Sequence, residues 1–188
     1  MRVIAGSAGG LRLDVPKSDV RPTMDRVKAA IFSSLGEAII GACVLDLFAG
    51  TGALGIEALS RGAAAATFVD DKRMSVAAIE SNLAHTKFAG TVRQYDVFEF
   101  IRTSRTDKGF DFIFADPPYE KTRSGETFTA LLMNDPKLAA LLAPGGVFIL
   151  EKRPDEEIPA AELWTVTRAR KYGATEVLFL RHASGTAE

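Results

Sequence analysis

The sequence predicts a single α/β domain: a mostly parallel sheet ending in an antiparallel C-terminal hairpin, with a small N-terminal hairpin or arm ahead of it. Three observations predict it. From residue 43 onward, short apolar runs alternate with segments of helical periodicity, the pattern of βαβ units. The runs Val44-Leu-Asp-Leu-Phe48 and Phe110-Asp-Phe-Ile-Phe-Ala115 are nearly all apolar, as strands covered on both faces must be. The tail changes pattern, with two strand-like runs on either side of Tyr172-Gly173-Ala174, where a glycine turn permits a hairpin. With 188 residues the chain suffices for one substantial core.

The elements follow in order. Residues 2–5 and 11–13 are short apolar segments around the glycine-rich stretch 6–10, so residues 1–20 read as the hairpin or arm and residues 21–184 as the main domain. Thr23 offers a helix N-cap and Asp25 a negative charge in the first turn. Met24, Val27, Ile31 and Leu35 then recur at helical spacing, and Gly36 or Gly41 can end the element. Strands are expected at 43–48, 66–70, 91–95, 110–115 and 147–151. Helices are expected at 53–61, 73–89 and 97–105, and within 125–142. The closing hairpin pairs 164–171 with 175–181.

Composition narrows the class. Hydrophobic residues make up 47% and charged residues 25%, ordinary for a soluble globular protein. No apolar run is long enough to cross a bilayer, and the N-terminus does not read as a signal peptide. The single cysteine, Cys43, excludes an internal disulfide and a cysteine cluster that could hold zinc, and is expected to be a buried small hydrophobe in a cytoplasmic protein. The net charge of −1 gives nucleic-acid binding no support, but its distribution is uneven. Residues 1–35 hold six basic and three acidic side chains, and Arg168, Arg170 and Lys171 form a second cluster. The two patches can contact phosphates if the fold unites them; otherwise they are solvated surface.

Directly after the first strong strand comes Asp46-Leu-Phe-Ala-Gly50-Thr-Gly52-Ala-Leu-Gly55. Glycines let backbone approach a ligand, the following helix offers free N–H groups, and ligands in such sheets sit at the carboxyl ends of the strands. Asp70 follows Gly50 by twenty residues, where a ribose-binding acid belongs. The spacing alone fits a nicotinamide dinucleotide. Asp46, an acid at the strand end just before the glycines, resembles instead the first motif of S-adenosylmethionine methyltransferases, whose cofactor carries an ammonium group. That resemblance implies a cofactor site of Asp46, Phe48, Ala49, Gly50, Thr51 and Gly52. It also implies that Asp70 accepts from the ribose hydroxyls, Asp96 binds the adenine amino group and Val97 lies near the ring. Asp96 also suits the N-cap of a helix beginning at Val97.

A later strand ends in Asp116-Pro117-Pro118-Tyr119. Proline fixes φ and lacks an N–H, so this corner is stiff and its carbonyls are available to accept. An exocyclic nucleobase amine is a poor nucleophile because its lone pair is delocalised into the ring. The Asp116 carboxylate and the Pro117 carbonyl can hold its two N–H bonds and stabilise the positive charge that develops on nitrogen. Tyr119 can stack on a base that is unpaired or flipped out. No metal or covalent intermediate is needed. A nicotinamide dehydrogenase has no use for this corner.

Taken together, the chain resembles the bacterial 16S ribosomal RNA guanine-N2 methyltransferases that act on guanine 966 of the small subunit. The resemblance runs through Val3-Ile-Ala-Gly6, Leu11-Arg-Leu13, Arg21-Pro-Thr-Met-Asp-Arg26-Val27 ahead of Phe32, the loop 46–55, the corner 116–119 and Lys171-Tyr-Gly173. It implies the Rossmann-like methyltransferase sheet, S-adenosylmethionine as cofactor, and 16S rRNA in small-subunit particles as partner. It places Arg21, Thr23 and Arg26 beside the active site, with Arg2 also toward RNA. A monomer is expected. An adenine-N6 methyltransferase on DNA or RNA could use the same acceptor corner. A nicotinamide oxidoreductase rests only on glycine spacing, and a ribosome-assembly factor is a third class. His85 and His182 show no partners in the sequence, and Trp164 and the phenylalanines read as core.

Overall fold

The computed structural model describes residues 1–15, 23–119, 122, 125–159 and 162–183. After the N-terminal arm, the elements run α1 (Thr23–Leu35), a tight 3-10 turn (Gly36–Ile39), β1 (Cys43–Leu47), α2 (Ala53–Ser60), β2 (Ala65–Asp70), α3 (Arg73–Thr86), β3 (Thr91–Gln94) and α4 (Val97–Thr103). Then follow β4 (Phe110–Ala115), α5 (Phe128–Met133), α6 (Pro136–Ala140), β5 (Leu142–Lys152), β6 (Trp164–Tyr172) and β7 (Thr175–His182). The seven strands form one sheet in the order β3-β2-β1-β4-β5-β7-β6. The first five are parallel and the last two pair antiparallel, as the sequence predicts.

Two apolar layers flank the sheet. On one face the arm and helices α1 to α3 pack on Phe68, Phe112, Phe114 and Ile149. On the other, α4 to α6 and Trp164 pack on Leu45, Leu47, Ile113 and Phe148. This two-sided covering is why β1 and β4 read as continuous apolar runs. The order reverses between β1 and β4, so the crevice at their carboxyl ends is where a ligand enters such a sheet.

Several expectations need correction. Helix α1 begins at Thr23 itself, whose side chain, like all of Arg21, lies outside the described residues. The stretch 125–142 forms two helices, because Asp135 caps a new one with Pro136 at its first position. Strand β5 starts at Leu142, five residues early. A register shift against β4 between Phe110 and Phe112 absorbs Gly145 and Gly146 as a bulge. Helix α3 stops at Thr86, where Lys87 turns left-handed with φ 60°. Cys43 is exposed rather than buried, because it is the first residue of β1 at the open end of the sheet. His182 has a partner: its ring lies edge-on to Trp164, with centroids 6.5 Å apart. Trp164 is core, as expected, and its indole N–H donates to the Met133 carbonyl at 2.9 Å.

Among the described residues the arm carries one antiparallel bridge, Arg2 to Arg12, and it docks on α2 through buried polar groups. Glu57 is fully buried and its carboxylate accepts the backbone N–H groups of Ile4 (2.7 Å) and Ala5 (3.1 Å) and the Arg61 guanidinium (2.7 Å). Lys28 of α1 approaches the same carboxylate at 3.4 Å and donates to the Arg2 carbonyl. Burial pulls the Lys28 ammonium below its ordinary range, against the opposing pull of Glu57.

Candidate active site

The β1–α2 turn is built around its acids. Asp46 is buried at the end of β1, and its carboxylate accepts from the Gly55 N–H at 2.9 Å in the first turn of α2. A carboxylate suits a helix N-terminus, so this bond orients both the acid and the helix. Asp70, at the end of β2, accepts from the Gly50 N–H at 2.8 Å and the Lys72 N–H at 3.0 Å. It therefore ties the glycine turn to the neighbouring strand. Ala49 donates to the Val69 carbonyl at 3.1 Å, adding a second tie.

The turn requires its glycines for separate reasons. Gly52 has φ +75°, and a Cβ there would also press on Ile79 and Phe68 at 3.3 Å. At Gly55 a Cβ would lie 2.2 Å from the Phe68 ring, so this glycine lets α2 sit directly on β2. Phe48 precedes the glycines with φ 55°, a conformation side-chain-bearing residues seldom adopt. Such strain gathers at functional sites.

Asp116 follows the last residue of β4, which pairs with β1 through Leu47 and Ala115. The carboxyl ends of β1, β2 and β4 thus bring Asp46, Asp70 and Asp116 to one rim of the sheet. Electrostatics reports the same proximity. Burial first, then the charges of Asp70 and Asp116, push the Asp46 carboxyl up to about 8, although the Gly55 N–H opposes the shift. A cluster of acids in a buried rim suits a ligand with fixed positive charge. The ammonium and sulfonium of S-adenosylmethionine provide that charge, so the residues present fit this cofactor. Their carboxylates offer nothing comparable to the nicotinamide pyrophosphate.

Pro117 is buried, Pro118 is exposed and Tyr119 is half-buried. The guanidinium carbon of Arg153, just past β5, lies 4.8 Å from the centre of the Tyr119 ring. Asp96 caps α4 by accepting from the Glu99 N–H at 2.9 Å, and Val97 is buried behind it. Thr51 is buried, with its hydroxyl 3.5 Å from the Met1 sulfur. Arg2 and Arg26 are both exposed on the arm and α1, and the Arg2 guanidinium lies 4.0 Å from the Asp25 carboxylate. The arm meets the glycine turn through Met1 at Thr51, while Asp96 stands two strands away from β1.

Sequence reasoning missed four features. Phe48, Phe98 and Phe128 meet in a half-buried aromatic cluster, with centroids 5.9 to 6.3 Å apart, that joins the glycine turn to α4 and α5. Only the adjacency of Phe98 to Val97 hinted at it. Arg153 over Tyr119 had no local signal. Glu57 did have one, as a lone acid in the apolar helix ALGIEALS. Asn82 had none. It is fully buried on α3, donates to the carbonyls of Thr51 and Asp14 at 3.0 Å, and accepts from the Asp14 N–H at 2.7 Å. It fastens the arm to the glycine turn.

Known structures share this architecture. The Escherichia coli protein yhhF superposes with a TM-score of 0.79 at 30% identity, covering 97% of this chain and 98% of its own. A Thermus thermophilus 16S rRNA N2 G1207 methyltransferase, solved with S-adenosylmethionine and guanosine, superposes with a TM-score of 0.66 at 26% identity over 88% of this chain and 44% of its own. Fold and site together define a Rossmann-like, S-adenosylmethionine-dependent methyltransferase. In sequence, the Escherichia coli ribosomal RNA small subunit methyltransferase D is 33% identical over 191 aligned positions, covering 100% of this chain and 93% of that protein. The chain belongs to the family described as Conserved hypothetical protein 95, which matches residues 1–181.

Proposed function

We propose that this chain methylates the exocyclic N2 amine of a guanine in 16S rRNA of the small ribosomal subunit, at guanine 966 by family resemblance. The observation that carries this reading is the placement of Asp116 on the same rim as Asp46 and Asp70, one strand from the glycine turn. Relatives named as small-subunit rRNA methyltransferases, and a structural relative named for guanine N2, support the substrate class.

Asp46, Asp70 and the turn 48–52 hold the cofactor, with Asp96 and Val97 at its adenine end. When bound, that cofactor supplies an electrophilic methyl on a sulfonium. The chain supplies geometry and charge. The Asp116 carboxylate and Pro117 carbonyl accept the two N–H bonds of the amine, which favours a localised lone pair. The same acceptors stabilise the cation that forms on nitrogen. Pro117 and Pro118 keep the corner rigid. Tyr119 stacks on the extruded base, and the Arg153 guanidinium carbon lies 4.8 Å from the centre of the Tyr119 ring. By the family resemblance, Arg2, Arg21, Thr23 and Arg26 contact the RNA. Holding the two reactants in line does most of the work.

Asp116→Ala tests the corner. Transfer to 16S rRNA is expected to fall by at least about 100-fold, as when a single preorganised polar group is removed from a transition state. Binding of S-adenosylhomocysteine by calorimetry is expected to persist. Full transfer by this variant ends the amine-holding role. Nucleoside mass mapping of rRNA from cells lacking the protein should show the loss of one N2-methylguanine. Loss of an N6-methyladenine instead would transfer the activity to adenine.

A further inference from the structure

The sheet ends in a strand that is exposed along nearly its whole length. Strand β6 buries Trp164, half-buries Tyr172 and exposes every residue between them. It carries Arg168, Arg170 and Lys171 and no acid. Register determines which way these cations face. Arg168 stands opposite Phe179, Arg170 opposite Val177, and Arg181 of β7 opposite Thr165. Directly paired residues project to the same face of a sheet. Phe179 and Val177 belong to the apolar layer beneath α1 and α2, so Arg168, Arg170 and Arg181 share that face. The Arg168 guanidinium carbon lies 5.8 Å from the centre of the Phe179 ring, its stem covering apolar surface while the charge reaches water.

Few acids oppose them. Strands β5, β6 and β7 hold only Glu151 and Glu176. Glu176 lies 2.8 Å from the buried Lys152 ammonium, which neutralises it. Glu151 pairs with Val177 and so shares the arginine face, but it stands on β5, two strands in from the edge. A chain of net charge −1 thus concentrates arginine on one face of its outermost hairpin.

The patch is also well placed. Lys152, Glu176 and Lys171 are in register across β5, β7 and β6, so β6 ends on the side of the sheet where Asp116 lies. Three strand spacings separate β4 from β6, roughly 14 Å. That is the span of a few nucleotides. Helix α1 packs in the same apolar layer through Val27, Ile31 and Phe32, and Arg26 on it is exposed.

Resting on the rRNA reading above, we infer that the arginine face of β6–β7 is a docking surface for the RNA phosphate backbone, with Arg168 and Arg170 contacting phosphates a few nucleotides from the target guanine. Phosphate contacts of this kind position the substrate without reading its sequence.

The test uses the full chain and in vitro transcribed 16S rRNA. Arg168→Gln with Arg170→Gln changes two exposed side chains. Binding is measured across a salt series, and S-adenosylhomocysteine affinity by calorimetry. Each phosphate contact contributes about 0.7 to 0.9 to the slope of log affinity against log salt, so the double variant should lose roughly 1.5 of that slope. Its RNA affinity should fall by about tenfold or more at low salt, while its affinity for S-adenosylhomocysteine stays that of the wild type. The Arg168→Lys, Arg170→Lys pair should keep the slope, because it keeps the charge. An unchanged slope in the glutamine pair, or an equal loss in the lysine pair, overturns the inference. If the wild-type chain binds S-adenosylhomocysteine but methylates no guanine in small-subunit particles, the parent reading falls instead.

Discussion

At the end of β1 a buried carboxyl group stands near two others, and its proton depends on them. Asp46 is pushed up to about 8, first by burial and then by Asp70 and Asp116. The unfolded chain releases this proton near the ordinary carboxylate value of 3.8. Between about pH 4 and 8 the folded state therefore holds a proton that the unfolded state has lost. Stability contributed by this group falls as pH rises through that window. Asp46→Asn should flatten the fall, seen as a smaller drop in Tm between pH 5 and pH 8 than in the wild type. A cationic cofactor favours the ionised form of Asp46, so its binding should release protons at pH 7 in the wild type. Calorimetry in buffers of different ionisation enthalpy would detect the release, and Asp46→Asn should abolish it. Equal proton release in the variant would assign the titration to another group.

Among the elements, α2 does the most to organise the site. Its first turn receives the Asp46 carboxylate through Gly55, and its second turn presents Glu57 to the arm. Glu57 satisfies two arm N–H groups and two cations inside the protein. Glu57→Ala leaves the buried Lys28 ammonium without its ion-pair partner, with only the weaker pull of Asp25 remaining. Breaking a buried pair this way costs about 3–5 kcal/mol, measurable by urea denaturation. Proteolysis within the first fifteen residues should accelerate in the same variant. Helix and strand positions were legible because their periodicity is local. The two-residue Asp135-Pro136 start of α6 and the Gly145-Gly146 bulge in β5 also had local signals, but their effect depends on pairing with neighbours.

For the whole molecule, the arm bears on stability as well as on substrate. Val3 and Leu13 are buried in the main apolar layer, and Asp14 is tied through Asn82 to the Thr51 carbonyl. We expect the arm and the sheet to unfold as one unit. Deleting residues 1–15 forfeits roughly 1.5–3 kcal/mol for each of Val3 and Leu13. It also leaves Glu57 and Asn82 without their arm partners. A single transition at lower temperature in calorimetry, with weaker S-adenosylhomocysteine binding, is the expected result. Two separate transitions in the full chain would make the arm an independent unit.

The sequence by itself determined the alternation of strands and helices, the glycine turn with Asp46 and Asp70, and the acid–proline–proline–tyrosine corner. These are patterns of neighbouring residues, and backbone sterics act between neighbours. Only the tertiary structure decided that Asp116 shares a rim with Asp46. It also decided that Arg153 covers Tyr119, that Glu57 and Asn82 clamp the arm, that Cys43 is exposed, and that the arginines of the last hairpin share one face. Each of these depends on which strands lie side by side, in what register and under which helix. Residues far apart in the chain set that arrangement by burying apolar surface together, and no short window of sequence contains both partners.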